Sequence, residues 1–306
     1  MKQNILVPVL VVLLAFALHT VSYFISPPPA NTLITYCVAS FLGIASILII
    51  YFISLKISKS NIAAVFSAIL AAGVHTYGWR IASHHIHAAE LCLFLTIILS
   101  ILYIKKTAWY LPVLLTIPYA FFHIYSLALI PVILIYVLLL KLEGMHLNKP
   151  ELKSCVFSSI VIIVMFAFFT ATPALIVIVS EYAARNYYAL SAANFKLTTV
   201  FAIIGALPVY LGLIGAYECV LHRNKGALLL LSAAIVFFIA SLANLVTLRL
   251  TLPYLAMSFA ALSAVFYAKI DKIIIDSVAS KHRWLIHGSV LAVFIALSTI
   301  HWIITL

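Results

Sequence analysis

Trp79-Arg80-Ile81-Ala82-Ser83-His84-His85-Ile86-His87-Ala88-Ala89-Glu90, followed by an apolar run from Leu91 to Ile104, is the stretch around which the chain is read. It gathers an arginine, three histidines and the first carboxylate of the sequence between two long apolar segments. The chemically versatile residues of the first third are concentrated here, and the apolar segments on either side read as scaffold.

Composition sets the class. Of the 306 residues, 66% are hydrophobic and only 8% charged, whereas a soluble fold carries about a quarter charged. The reading is all-α, a polytopic transmembrane helical bundle with residues 1–306 as a single transmembrane domain. The formal charge of +11 does not indicate nucleic acid, because the basic residues lie in short clusters between apolar runs, as topology signals do. Cys37, Cys92, Cys155 and Cys219 fall inside apolar segments without paired spacing, which argues against a disulfide framework or structural zinc. The first segment lacks a small-residue cleavage site and is expected to be an uncleaved span.

A bilayer core takes about 20 apolar residues per helix, and on that ruler the chain divides into about eleven spans. They are residues 4–25, 33–55, 62–82, 88–104, 109–122, 125–141, 154–180, 197–221, 226–246, 252–268 and 285–305. Residues 109–141 are too long for one straight span, and Pro118, His123 and Pro131 predict two short helices meeting at a polar break. Residues 269–284 alternate Ile270, Ile273, Ile274 and Val278 with charges at helical spacing, which predicts a helix lying in the interface.

Placing Lys2 inside puts fourteen of the 18 basic residues on the cytoplasmic side and leaves only Arg80, Arg185, Lys196 and Arg249 outside. That bias predicts a multi-pass integral membrane protein with a cytoplasmic N-terminus and an external C-terminus.

The external ends of the spans hold the residues that can carry chemistry. A polar cavity open to the outside is expected, lined by His19, His75, Arg80, His84, His85, His87, Glu90, His123 and Arg249, because ionisable groups at membrane depth must pair or face water. His85, His87 and Glu90 supply two imidazoles and a carboxylate within about one helical turn. That donor set suits a divalent metal, Zn²⁺ or Mn²⁺ rather than the oxygen-preferring Mg²⁺. The spacing requires His85 to sit in the loop just before the helix, since residues two apart on a helix point in different directions. Arg249, at an external mouth before Leu250-Thr251-Leu252-Pro253-Tyr254, is placed to clamp a phosphate bidentately. The plain alternatives are helix caps and interfacial anchors.

The run Ser83 to Phe94 resembles the second external loop and following span of the catalytic subunit of archaeal oligosaccharyltransferase, whose pattern is D-H-H-x-A-E-x-L-F. Aligned back from Glu90, His85 falls on the family's aspartate and His87 on its second histidine, the pair that ligates a divalent metal there. The order of spans, the His123 break and the Arg249 to Pro253 segment are similar to GT-C-fold membrane glycosyltransferases generally. The resemblance implies a polyprenyl-phosphate-linked sugar donor used at the outer face, with its phosphate on Arg249; Arg80, His123 and His84 of the expected cavity are further candidate substrate-binding residues. It also implies a divalent metal on His85 and His87, and with Glu90 added from the spacing these are the candidate ligands for Mn²⁺, Mg²⁺ or Zn²⁺.

Two departures accompany the resemblance. The family's catalytic acid lies in a long first external loop, but here that connector is Ser26 to Thr32 and no Asp or Glu precedes Glu90. The 306 residues also contain no counterpart of the family's soluble C-terminal domain. Glu90 and Glu181 are the candidate catalytic carboxylates, unless a partner membrane protein supplies the acid. The alternative from another class is a non-catalytic membrane subunit or lipid-binding scaffold, in which the histidines are structural or bind a cofactor such as haem. A transporter is disfavoured by the lack of an internal repeat.

Overall fold

The computed structural model describes residues 7–13, 16, 33–74, 85–105, 107–171, 204–243, 248–277 and 282–305. Every regular element among them is helical. From residue 33 onward the helices are α1 (Leu33–Ser58), α2 (Asn61–Ala72), α3 (His85–Leu102), α4 (Leu111–Ala120), a 3₁₀ turn (His123–Ala128), α5 (Leu129–Leu142), α6 (Lys149–Ala171), α7 (Ala206–Leu221), α8 (Lys225–Leu242), α9 (Leu248–Asp276) and α10 (Arg283–Thr305). Four segments, Cys37–Ser58, Lys149–Phe169, Lys225–Leu242 and Thr251–Asp276, are long and apolar enough to cross a membrane.

The centre of the bundle is α9, which packs most extensively on α7 and also on α2, α8 and α1. Small residues permit the closest approach: a Cβ on Gly215 would stand 2.0 Å from the Leu262 carbonyl oxygen, and one on Gly212 would stand 2.5 Å from Phe259 Cβ. Hydroxyls bind α1, α2 and α9 together. Ser67 Oγ donates to the Ala260 carbonyl at 2.6 Å, so Ser54 is the donor in the 2.7 Å contact between the two serines.

The break expected between residues 109 and 141 is present as two short helices, α4 and α5, joined by the 3₁₀ turn that starts at His123. Pro118 lies inside α4 two residues before its end, where its missing N–H leaves the Leu114 carbonyl without a helical donor, and Pro131 sits in the first turn of α5, where no N–H partner is needed.

Of residues 269–284, for which the charge spacing predicts an interfacial helix, 278–281 lie outside the described residues. The helix begun at Leu248 runs on to Asp276, and Arg283 opens α10. The reason is tertiary. Asp271, only 4% exposed, accepts from Arg283 Nε and Nη2, from His287 Nε2 at 2.9 Å and from Ser60 Oγ at 3.1 Å. The other ring nitrogen of His287, Nδ1, is hydrogen-bonded to the Tyr267 hydroxyl, 2.9 Å away.

The connectors with the most lysine and arginine converge on one face. Asn224 caps α8 through Ala227 N and donates its amide to the Ile57 carbonyl at 2.8 Å. Just before it, Arg223 adopts φ 48°, closing α7 with bonds from Arg223 N to Val220 and from Asn224 N to Cys219. Lys225 bonds Glu151 and the His146 carbonyl, Arg223 lies 3.7 Å from Glu143, and Lys269 reaches Glu218 at 2.6 Å. Lys56 stands over the Tyr103 ring and Lys153 over that of Trp109.

Candidate functional site

Glu90 lies in the second turn of α3, where the helix has turned its polar start into an apolar body. From Glu90 to Leu102, beside the basic face, α3 rises about 18 Å, and from Tyr254 to Lys269 α9 rises about 22 Å. Both side chains therefore stand well away from the basic connectors, within apolar stretches of their helices.

There an unpaired carboxylate costs several kcal/mol or more, and the fold supplies partners. The Tyr254 hydroxyl donates to Glu90 Oε1. Tyr119, from the last turn of α4, is hydrogen-bonded to Tyr254 in turn. Aromatic rings close around the group: Phe237 stacks on Tyr254 at 4.3 Å, and Phe94 meets Tyr254 edge-on at 5.1 Å and Tyr119 at 6.1 Å. Glu90 is 2% exposed and both tyrosines are buried. One turn before Tyr254, Thr251 hydrogen-bonds Ser241 of α8, whose own proton goes to the Phe237 carbonyl. Four helices, α3, α4, α8 and α9, are thus joined by polar contacts at one level.

The Glu90 to Tyr254 bond ties together the two helices that carry the expected site. His85 and His87 lie on α3 about one to one and a half turns from Glu90, and Arg249 lies on α9 about one and a half turns before Tyr254. His85 opens α3 and is helical, so the loop position expected of it is not the one found. The side chains of His85, His87, His123 and Arg249 lie outside the described residues, as do Arg80, His84, Glu181, His19 and His75 altogether.

Among the described residues no three histidine, cysteine, aspartate or glutamate side chains converge as metal ligands. Glu90 has Oε1 committed to Tyr254 inside an aromatic enclosure, so a metal on it would be held through Oε2. What Glu90 does in this setting is hold α3 to α9.

Tyr119, Phe237 and Tyr254 are absent from the residues picked out by sequence. Sixteen tyrosines are scattered through apolar segments, so neither Tyr119 nor Tyr254 carries a local mark of its partner. Comparisons with protein-family models and with curated protein sequences find no match.

Proposed function

We propose that the chain is a compact GT-C-like membrane transferase that takes a sugar from a polyprenyl-phosphate donor at the outer face. The observation that supports this reading is the buried bond from Tyr254 to Glu90, which links the helix carrying Arg249 to the helix carrying His85 and His87. Arg249 holds the donor phosphate, where a charge-assisted fork suits phosphate geometry. Glu90 and Tyr254 set the spacing of the two helix ends, and Glu181 is the carboxylate that accepts the acceptor's proton. The reading also carries a divalent metal on His85 and His87, which would neutralise charge on the departing phosphate when bound. About eleven spans, an inner N-terminus and an outer C-terminus belong to the same proposal. The topology is supported by the five connectors of the basic side meeting through polar contacts on one face.

Enclosure of Glu90 by Phe94, Phe237 and Tyr254 favours a second reading, a non-catalytic lipid-binding scaffold of the same fold, in which Glu90 is structural. Turnover of a lipid-linked sugar separates the two. Arg249→Ala weakens polyprenyl-phosphate binding by about 10-fold to 150-fold in either case, from a charged hydrogen bond of roughly 1.5–3 kcal/mol. Only in the transferase does Glu181→Gln lower turnover by at least about 100-fold with lipid binding kept. Parent protein that binds the lipid and never turns it over, alone or with its native partners, would leave the scaffold. Metal content of parent and His87→Ala protein tests the metal separately.

A further inference from the structure

The acidic residues of the basic face are spent in one part of it. Glu151 holds Lys225, Glu218 holds Lys269, Asp271 holds Arg283 and Glu143 lies beside Arg223. Around the connector between α3 and α4 the pattern differs. Lys56, from the end of α1, stands 4.6 Å from the centre of the Tyr103 ring, and Lys153, from the first turns of α6, stands 5.8 Å from that of Trp109. Lys105 is exposed between them in sequence. Among the described residues none of these three lysines has a carboxylate within ion-pair distance. An ammonium on a ring face gains modestly and keeps N–H groups for another acceptor.

The apolar side of the same corner is open. Below the connector, Leu114 of α4 is 53% exposed and Phe121 is 64% exposed, with Ile117 between them. Lysines on flexible stems, aromatic rings at the level of the helix ends and an exposed apolar stripe running from them match a phospholipid in the order headgroup, interface, acyl chain.

We infer that Lys56, Lys105 and Lys153, set around Tyr103 and Trp109, form a binding surface for a net-anionic glycerophospholipid, with its acyl chains along the exposed face of α4. The positive charge left without carboxylates is what selects a net-anionic headgroup over a zwitterionic one.

The test uses the full chain with Trp79, Trp284 and Trp302 changed to Phe, so that Trp109 alone fluoresces. It is placed in nanodiscs of mixed phosphatidylcholine and phosphatidylglycerol, one of the two carrying brominated chains. Both leaflets hold both lipids, so the result does not depend on which face is cytoplasmic or on any transferase activity. Brominated phosphatidylglycerol should quench Trp109 more than brominated phosphatidylcholine. The combined change Lys56→Ala, Lys105→Ala and Lys153→Ala should remove the preference, by roughly five-fold in relative affinity per lysine. The matched change Lys141→Ala, Lys149→Ala and Lys272→Ala should keep it. Equal quenching by the two lipids in the parent, or equal loss in both triple variants, overturns the inference. Should the first triple variant not fold, Lys56→Gln and Lys153→Gln singly carry the same comparison.

Discussion

Glu90 and Tyr254 form a bond between residues 164 positions apart at a depth where water cannot substitute for either partner. Ordinary interhelical hydrogen bonds in membranes average about 0.6 kcal/mol, because the separated helices find other partners. A buried carboxylate is harder to satisfy elsewhere, so Tyr254→Phe should cost about 1–3 kcal/mol. Thermal or denaturant unfolding in detergent measures it, and Glu90→Leu, which removes the acceptor, with Tyr254→Phe completes a double-mutant cycle. Additive losses would show that the bond contributes nothing of its own, and the reading of Glu90 as the tie between α3 and α9 would fail.

Among the elements, α7 and α10 present opposite demands on glycine. A Cβ on Gly215 would stand 2.0 Å from the Leu262 carbonyl oxygen of α9 and one on Gly212 2.5 Å from Phe259 Cβ, whereas a Cβ on Gly288 of α10 would meet nothing within 4 Å. Backbone cannot yield as a flexible side chain does, so Gly215→Ala must push α7 away from α9 and should destabilise by about 3 kcal/mol or more. Gly288→Ala adds a better helix former in open space and should be neutral or stabilising by up to about 1 kcal/mol. Melting of the two variants side by side checks the packing of α7 on α9. A well-tolerated Gly215→Ala would mean that the two helices do not approach as described.

For the whole molecule, the convergence of the basic connectors makes orientation a single question rather than many. Cysteine placed at Lys149 and at Ser83, in a background without the four native cysteines, should differ in access to a membrane-impermeant reagent. The Ser83 site should label from outside and the Lys149 site only after the membrane is opened. Labelling of Lys149→Cys from outside reverses the proposed topology and places Arg249 and His85 on the inner side.

Sequence by itself determined the helical class and the positions of most helices, because lipid tolerates only segments whose backbone bonds close internally. The paired breaks at Pro118, His123 and Pro131 were legible for the same reason: a missing amide or a polar side chain is a local property. Partners were not legible. Asp271 reads as an interfacial charge until Arg283, His287 and Ser60 surround it, and only then can α9 continue through it to Asp276. Glu90 reads as one more ligand beside His85 and His87 until Tyr254 and Tyr119 are brought to it from two other helices. Apolar periodicity reports what a segment must hide, whereas the identity of the group that satisfies a buried charge depends on packing between segments far apart in the chain. Only the tertiary structure decided it.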